Sequence, residues 1–488
     1  MIFINTLQSL AAEFYIFTVV IILLLYSIIN NKYIIIKNIS ILAVYSIIIS
    51  IIILSMNPYI YLITLNNAFI LDNFSLVIKL IVLIGSVSCI IMSLDYLKDQ
   101  KIYSYEYVLL LLLSIIALLL LLGSFNLISI YLAIELQSLS FYVLASMKKD
   151  SEYSTEASFK YFILGVFSSG FLLLGFSILY GFTGIINIEQ LYKLSICLNY
   201  LGDNYIIAIS LGLLLIIVSL LFKLGAVPFH MWLPDVYEGS PLSVTAFFAI
   251  VPKIVILTVI FRIFIYSFYE IVENINNVFV YCSIASMILA SIAALYQVKI
   301  IRLLVYSAIG HIGYILIGVS VGSIESIQAS IMYILIYIIM SINIYSTIIS
   351  IKAKNKSIEI KYLKELTNLS KYNPLLAISL TFMLFSMAGI PPLAGFFSKL
   401  YLFASAMNES MYNLTIIGIL TSVIGTVYYI YIIRLIYFEK SNSWIFLTQM
   451  NKSLSILISI TLIIITLLFL YASSILIYTH KLSLFLAL

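Results

Sequence analysis

Two lysines lie inside long apolar stretches of the sequence, where a charged group is costly. Lys223 stands in LLFKLGAVPFH and Lys253 in AFFAIVPKIVIL. An ammonium group at the centre of a bilayer costs roughly 2.5–3.5 kcal/mol on insertion scales, so such residues usually have a function and a partner. Pro228 interrupts the first stretch shortly after its lysine. Charged groups beside a broken membrane helix are typical of proteins that move ions or protons.

Further protonatable groups occur at similar depth in other apolar stretches. Four of these groups lie near the middle of a predicted span: Glu135, Lys223, Lys253 and His311. The fifth, Lys399, lies nearer the outer end of its span. Burial weakens the hold of a lysine on its proton, and a nearby carboxylate restores it. A change of one pKa unit corresponds to about 1.4 kcal/mol, whereas moving one charge against 100 mV requires about 2.3 kcal/mol. A change of a few units in one lysine would therefore drive one proton across, and we predict that these five groups form a proton pathway.

Each of these groups also has a structural interpretation. Glu135 and Lys223 would form a static buried ion pair that locks two helices together. Lys253 would be a lone lysine whose chain snorkels towards the interface, and Lys399 would be an anchor at the outer surface. His311 would bond to a neighbouring helix.

Two more residues are auxiliary candidates for the pathway. His230 follows the interruption at Pro228 and is close to Trp232, so a structural hydrogen bond is an equal alternative. Lys160 lies nearer the end of its span, where a snorkelling side chain is the other interpretation.

The composition shows what must position these groups. The chain has 488 residues, of which 64% are hydrophobic and 9% charged, whereas soluble domains carry about 25% charge. The apolar stretches are long enough for spanning helices of about 20 residues and too uniformly apolar for barrel strands. We predict an all-α polytopic membrane protein of about fourteen spans, at 11–30, 39–56, 74–94, 106–123, 125–147, 158–182, 205–238, 242–266, 276–297, 303–322, 326–351, 375–406, 412–437 and 453–478.

Lysine and arginine mark the orientation of these spans. Connections after odd-numbered spans carry about sixteen of them, whereas those after even-numbered spans carry only Lys193. By the positive-inside rule both termini should lie on the outer face. The connection KAKNKSIEIKYLKELTNLSK has Leu363, Leu366 and Leu369 at helical spacing, which predicts a short helix on the inner surface.

Two spans are longer than crossing requires, and both contain proline. The seventh (205–238) contains Pro228 and the twelfth (375–406) contains Pro391 and Pro392. An interior proline breaks a helix, so we predict that both helices are broken. Their spacing suggests two inverted five-helix repeats, spans 4–8 and 9–13. The predicted division of the chain is 1–105 for helices 1–3, 106–270 and 271–440 for the two repeats, and 441–488 for helix 14.

Several functions lack their motifs in this sequence. There is no GxGxxG unit, P-loop or cysteine cluster, and three histidines are too few for a convincing haem pair. We expect no redox cofactor, nucleotide or metal in this chain, and the modest net charge of +5 does not imply nucleic acid. The free energy for transport must then come from an ion gradient or from partner subunits.

Five stretches resemble one known family closely: IYLAIELQSLSFYVLAS, EASFKYFILGVFSSG, FKLGAVPFHMWLPDVYEGSP, IIRLLVYSAIGHIGYILIG and NPLLAISLTFMLFSMAGIPPLAGFFSK. They are similar to the antiporter-like subunit 2 family (subunit N in bacteria) of NADH:ubiquinone oxidoreductase, respiratory complex I. The resemblance implies fourteen helices, two inverted repeats and breaks in helices seven and twelve. The family's functional residues match Glu135, Lys223, Lys253 and Lys399. Ile301 departs from the pattern, since relatives often have a second basic residue before Arg302.

The resemblance also implies the setting of the chain. NAD, FMN, iron–sulfur clusters and ubiquinone would belong to partner subunits, and the chain would pack among other membrane-arm and accessory subunits and lipids such as cardiolipin. The abundance of Ile, Tyr, Phe and Asn favours a mitochondrial gene, which predicts the inner membrane with both termini towards the intermembrane space. The chain would then be a translocase subunit without its own redox centre. The alternatives are an Mrp-type cation/proton antiporter subunit and a passive structural subunit of the membrane arm.

Overall fold

The computed structural model describes residues 6, 8–29, 34–57, 61–100, 102, 104–197, 203–352, 360–367, 369–439 and 449–487. Within these ranges the chain is almost entirely helical. In chain order the helices are α1 (Ala11–Ile29), α2 (Ile34–Ser55), α3 (Asn73–Asp99), α4 (Glu106–Gly123), α5 (Leu127–Ala145), α6 (Glu152–Thr183), α7 (Ile188–Cys197), α8 (Asp203–Leu224), α9 (Trp232–Gly239), α10 (Leu242–Ile260), α11 (Tyr269–Leu295), α12 (Ile300–Val321), α13 (Ile324–Ser350), α14 (Leu369–Tyr372), α15 (Pro374–Ala388), α16 (Ala394–Asn408), α17 (Tyr412–Tyr437), α18 (Lys452–Leu470) and α19 (Ala472–Ala487). A π-helical segment, Phe261–Ser267, extends α10.

The prediction of an all-α polytopic membrane protein is confirmed. Among the described residues, thirteen helices are long and apolar enough to cross a membrane. The predicted twelfth span consists of α15 and α16, which have 15 residues each. Together the two short helices complete the predicted number of about fourteen.

The chain folds into two compact units. Unit 1 contains the described residues up to Leu224, then Gly239–Ile275 and the end of the chain from Phe485, whereas unit 2 contains Gly225–Glu238 and Asn276–Leu484. In unit 1, α10 packs against α3, α4 and α8, and each of its residues is buried. In unit 2, α13 packs against α12, α15, α16 and α18. The predicted boundaries at 105, 270 and 440, and the inversion of the repeats, stay predictions.

The predicted breaks in spans seven and twelve are confirmed. Helix α8 ends at Leu224 and α9 begins at Trp232, while α15 ends at Ala388 and α16 begins at Ala394. Each break starts with a glycine at positive φ, which is 79° at Gly225 and 84° at Gly389. A residue with a Cβ atom is strained in this left-handed conformation, which is the usual way to end a helix.

Proline then prevents the helix from resuming. Pro228 follows Gly225 by three residues, and Pro392 follows Gly389 by the same interval. Because proline has no backbone N–H and fixes φ, neither break can close into a continuous helix. The carbonyl groups at the end of the first half-helix are thus left available for other partners.

Two local features differ from what the sequence predicts. The predicted last span, 453–478, is wrong in extent, because α18 ends at Leu470 and a second helix continues to Ala487. The short antiparallel hairpin of β1 (Leu62–Thr64) and β2 (Phe69–Leu71) was not predicted. Its three-residue strands are too short to show a period-two pattern.

The predicted surface helix at 352–371 is only partly described, since 353–359 and 368 lie outside the described residues. The rest forms a 3₁₀ turn, Leu363–Leu366, followed by the one-turn helix α14. The leucines that define the pattern are buried, and the N–H of Leu363 donates to the carbonyl of Val298. The segment is therefore hydrogen-bonded to the residues just before α12, and its described part does not form one regular helix.

Candidate functional site

Glu135 on α5 and Lys223 on α8 are two of the charged residues of unit 1 that have a buried polar atom. The Glu135 Oε2 atom accepts a hydrogen bond of 3.3 Å from Ser138, one helical turn further on. The other carboxylate oxygen, Oε1, and the Lys223 Nζ atom are both buried, and neither has a hydrogen-bond partner among the described residues. Glu135 is nevertheless the charged group whose field acts on Lys223. The two charges thus interact without bonding to one another.

This arrangement differs from a static buried ion pair. A static pair compensates its desolvation cost only when the charges meet with good geometry and the remaining polar atoms are satisfied. Here Glu135 and Lys223 each retain a buried atom without a hydrogen-bond partner in the part of the chain that the structure describes, so the pair does not meet that condition. Lys223 also lies in the last turn of α8, where the carbonyl end of the helix dipole favours a cation.

Lys253 lies near the middle of α10 and is only 3% exposed. It directly follows Pro252, which leaves one carbonyl of the preceding turn without its helical donor. Helix α10 packs against α8, the helix of Lys223. The side chain is therefore enclosed by protein and does not reach a lipid-facing surface of unit 1.

His311 on α12 is the centre of a hydroxyl cluster in unit 2. Its Nδ1 atom lies 2.6 Å from the hydroxyl of Tyr333 on α13, and its Nε2 atom lies 3.2 Å from the hydroxyl of Tyr429 on α17. His311 is 3% exposed, and both tyrosines are at least as well buried. The imidazole therefore joins two hydroxyl groups on two different helices through its two nitrogens.

Lys399 on α16 binds across the second helix break. Its Nζ atom donates to the carbonyl oxygens of Met387, at 3.0 Å, and Ala388, at 2.9 Å. These carbonyls end α15, so the partial negative charge of that helix end stabilises the ammonium. The Nζ atom also lies 5.1 Å from the centre of the Tyr314 ring, a cation–π distance. The broken helix thus supplies the ligands of this lysine.

The two auxiliary candidates occupy different environments. His230 lies within the first break and is 5% exposed, and its Nδ1 atom has no partner among the described residues. Lys160 is 43% exposed at its side chain and pairs with Glu156, one turn earlier on α6, at 2.6 Å. The structure therefore gives His230 a buried setting and Lys160 a surface setting.

One buried ion pair was missed by the sequence interpretation. Lys79 on α3 is fully buried and donates to Glu13 on α1 at 2.5 Å, and Glu13 itself is only 3% exposed. Glu13 stands near the start of the first predicted span, so its depth is not evident from the sequence. Lys79 itself was the signal for this pair, because a lysine inside a membrane span usually has a charged or polar partner.

Two further charged clusters join helix ends. Arg262, in the π-helical segment, makes a bidentate pair with Asp72 at 2.9 and 3.0 Å and also donates to the carbonyl of Ser124. Arg262 is only 7% exposed. Its position near a span end hid its partner, which lies 190 residues away.

The second cluster lies at the start of α12 in unit 2. Glu238 on α9 accepts hydrogen bonds from both Lys299 and Arg302. Arg302 also donates to Asp235, one turn earlier on α9, at 3.0 Å. The second half of the broken seventh span is therefore held by charge to the helix that carries His311. We call these four residues the α9–α12 charge cluster.

The described residues contain no group of three or more His, Cys, Asp or Glu side chains suited to hold a metal ion. The arrangement instead offers groups that bind and release protons. Sequence reasoning singled out the charged residues but not Tyr333 and Tyr429, and the pathway itself stays a prediction. With 38 tyrosines in the chain, these two do not stand out.

Comparison with known proteins gives one family match and many relatives. The family described as "NADH:quinone oxidoreductase/Mrp antiporter, TM" matches residues 124–425. NADH-ubiquinone oxidoreductase chain 2 of Marchantia polymorpha is 44% identical over 98% of this chain and 99% of its own length. NADH-quinone oxidoreductase subunit N of Pelagibacter ubique is 44% identical over 82% of this chain and 83% of its own length.

Solved structures share the fold at lower identity. A chain of respiratory complex I from Thermus thermophilus with bound aureothin has a TM-score of 0.80 at 23% identity, covering 95% of this chain and 98% of that one. A chain of the Mrp complex from Dietzia sp. has a TM-score of 0.82 at 19% identity, covering 98% and 97%. These likenesses show a common helical fold.

Proposed function

The chain belongs to the NADH:quinone oxidoreductase/Mrp antiporter family of membrane subunits, and from this premise we propose that it translocates protons as a core subunit of the membrane arm of respiratory complex I. Oxidation of NADH and reduction of ubiquinone would occur in other subunits, which would hold NAD, FMN and the iron–sulfur clusters. The nearly full-length similarity to a protein named chain 2 of this oxidoreductase supports the assignment.

The observation that carries the proposal is the unbonded pair of charges in unit 1. While Glu135 is ionised, its field lowers the free energy of the Lys223 ammonium. When Glu135 is neutralised or moves away, the buried ammonium becomes costly and its proton leaves. Opposite charges 4 Å apart interact by about 4 kcal/mol at an effective dielectric constant of about 20, and more weakly beyond that distance. That is of the same order as the roughly 2.3 kcal/mol needed to move one charge against 100 mV.

The remaining groups would carry the proton onward. Lys253 is the acceptor that we assign next to Lys223, because its helix packs directly against α8. In unit 2 we assign His311 as a relay and Lys399 as the group that releases the proton. His230, buried within the first break, is an auxiliary relay in this scheme, and Lys160 would act only at the surface.

The proposal includes a location and partners. We propose the mitochondrial inner membrane, with both termini towards the intermembrane space and with membrane-arm subunits and lipids such as cardiolipin as neighbours. The plant relatives named NADH-ubiquinone oxidoreductase chain 2 and the lysine-rich connections after odd-numbered spans support this setting.

Two other functions give different outcomes in simple experiments. The family description also covers Mrp antiporters, and an antiporter would exchange Na⁺ for H⁺ in vesicles without NADH oxidation. A complex I subunit should instead co-purify with a very large assembly that oxidises NADH. A passive scaffold would be needed for assembly alone.

The decisive variant is Lys223→Ala in the assembled complex. We expect normal assembly and a loss of proton pumping of about 10²-fold, the typical effect of removing a positioned proton-transfer group. Lys193→Ala is the matched control, because Lys193 is exposed and pairs with Glu189 one turn away. Proton uptake by vesicles and the amount of intact complex would be measured together. Normal pumping by an intact Lys223→Ala complex would refute the proposal.

A further inference from the structure

The hydroxyl groups around His311 form a directional hydrogen-bond chain. Tyr333 lies at 2.6 Å from Nδ1, and Tyr429 at 3.2 Å from Nε2. A neutral imidazole has one N–H donor and one acceptor nitrogen. If Nδ1 accepts from Tyr333, then Nε2–H donates to the Tyr429 oxygen. The Tyr429 hydroxyl also interacts with the side chains of Tyr428 and Ser307, and its own proton can pass to an acceptor beyond the imidazole.

A small cavity lies where that hydroxyl can donate. It has a volume of about 20 Å³, and its lining includes His311, Tyr429, Thr421 and Lys399. A cavity holds one water when it offers at least about 10–15 Å³ and two to four polar partners. Hydroxyl, imidazole and amine groups all line this one. The cavity therefore has the size and the polarity for a single bridging water.

Lys399 has the geometry of the last group in this chain. Two of its N–H groups are taken by the carbonyls of Met387 and Ala388. A neutral amine has two N–H donors and one lone pair. With both donors bound to the helix end, the lone pair is the remaining position of the tetrahedral nitrogen, and Lys399 itself lines the cavity.

We propose that Tyr429, with one water in this cavity, passes protons between His311 and Lys399. The transfer is balanced: Nε2–H gives its proton to the Tyr429 oxygen, Tyr429 gives its hydroxyl proton to the water, and the water gives one to the neutral Lys399 amine. Tyr333 gives its hydroxyl proton to Nδ1 and takes up one from the preceding donor of the proposed pathway, so that Tyr333 and His311 both end neutral. The inference deepens the proposed function and rests on it.

The first test replaces Tyr429 by phenylalanine, which keeps the ring and removes the hydroxyl. We expect pumping by the assembled complex to fall about tenfold, a smaller loss than the 10²–10⁴-fold that is typical of removing a general acid or base. Tyr345→Phe is the control, because Tyr345 is another buried tyrosine of unit 2, on the same helix as Tyr333. The rate in D₂O should distinguish relay from packing. The solvent isotope effect should rise in Tyr429→Phe and stay unchanged in Tyr345→Phe.

The second test fills the cavity without removing any polar group. Gly425 lines it, and a Cβ built there would meet nothing nearer than the Tyr428 hydroxyl at 3.6 Å, an ordinary contact. Gly425→Ala should therefore fold normally, exclude the water and lower pumping about as much as Tyr429→Phe. Gly170→Ala is its control, since a Cβ there has no neighbour within 4 Å.

The outcomes separate this inference from the function on which it rests. If Lys223→Ala and Lys399→Ala abolish pumping while Tyr429→Phe and Gly425→Ala pump normally, the relay through Tyr429 is refuted and the proposed function stands. If Lys223→Ala pumps normally, the proposed function itself fails. A loss in Tyr429→Phe with an unchanged solvent isotope effect would show a packing role and would also overturn the relay.

Discussion

Lys223 in unit 1 and Lys399 in unit 2 both lie beside a helix break, but they are held differently. Lys223 comes just before its break and feels the charge of Glu135 without bonding to it. Lys399 comes just after its break and donates to two carbonyls at the end of the preceding half-helix. In unit 2, two tyrosine hydroxyls lie within hydrogen-bond distance of His311.

The difference suggests a division of roles between the two units. An unbonded charge pair responds at once when either charge changes, because nothing but the field holds it. A lysine bonded to a helix end and a histidine bonded to hydroxyls change little until a proton arrives. We infer that the Glu135–Lys223 pair is the switch, and that the groups around His311 and Lys399 are the conduit.

The largest effect is expected from Glu135→Gln, which keeps the shape of the side chain and removes its charge. Lys223 then has no opposing field, so its proton cannot be held against the membrane potential. We expect pumping to fall about 10²-fold, further than in Tyr429→Phe, while the complex assembles. Pumping and assembly would be measured on the same vesicles. Equal losses in Glu135→Gln and Tyr429→Phe would remove the distinction between switch and conduit.

A bonded ion pair in unit 1 offers a second test of the difference between bonded and unbonded charges. Glu13 and Lys79 are buried and in direct contact, so Lys79→Ala leaves a buried carboxylate alone. Loss of one partner of a buried pair costs about 3–5 kcal/mol, and we expect several-fold less assembled complex with normal pumping by each complex that remains. The double variant Glu13→Gln/Lys79→Met should restore assembly, since it leaves no charge unpaired. A pumping defect in that well-assembled double variant would place this pair in the pathway.

Much of the fold followed from the sequence, because a spanning helix requires a long apolar stretch that is easy to recognise. The apolar length of each stretch and the lysine pattern of the connections predicted the spans, and Pro228, Pro391 and Pro392 predicted the two breaks. The short β-hairpin and the second helix after Tyr471 did not follow. The two strands have three residues each, too few for a readable period. The second helix follows the first after Tyr471 alone, so the apolar pattern shows no boundary between them.

The charged members of the site were predictable for a related reason. A lysine or a carboxylate inside an apolar stretch is rare enough to be noticed, as Lys223 and Glu135 were. Their partners were harder to predict, because contact depends on helix packing. Glu13 stands 66 residues from Lys79, and Tyr429 stands 118 residues from His311. Nothing local in the sequence links either pair.

The smallest effect is expected from the α9–α12 charge cluster, which we assign to positioning alone. Glu238→Gln removes the acceptor of both Lys299 and Arg302, but the basic groups are more than one-third exposed. Exposed pairs contribute about 0.2–1 kcal/mol each, so we expect at most about a twofold loss of pumping. Because salt screens exposed charges, the difference from the unchanged complex should shrink between 0.1 and 1 M salt. Glu156→Gln, which breaks an exposed pair on α6, should have no effect. A loss as large as that of Glu135→Gln would mean that a charge switch also operates in unit 2.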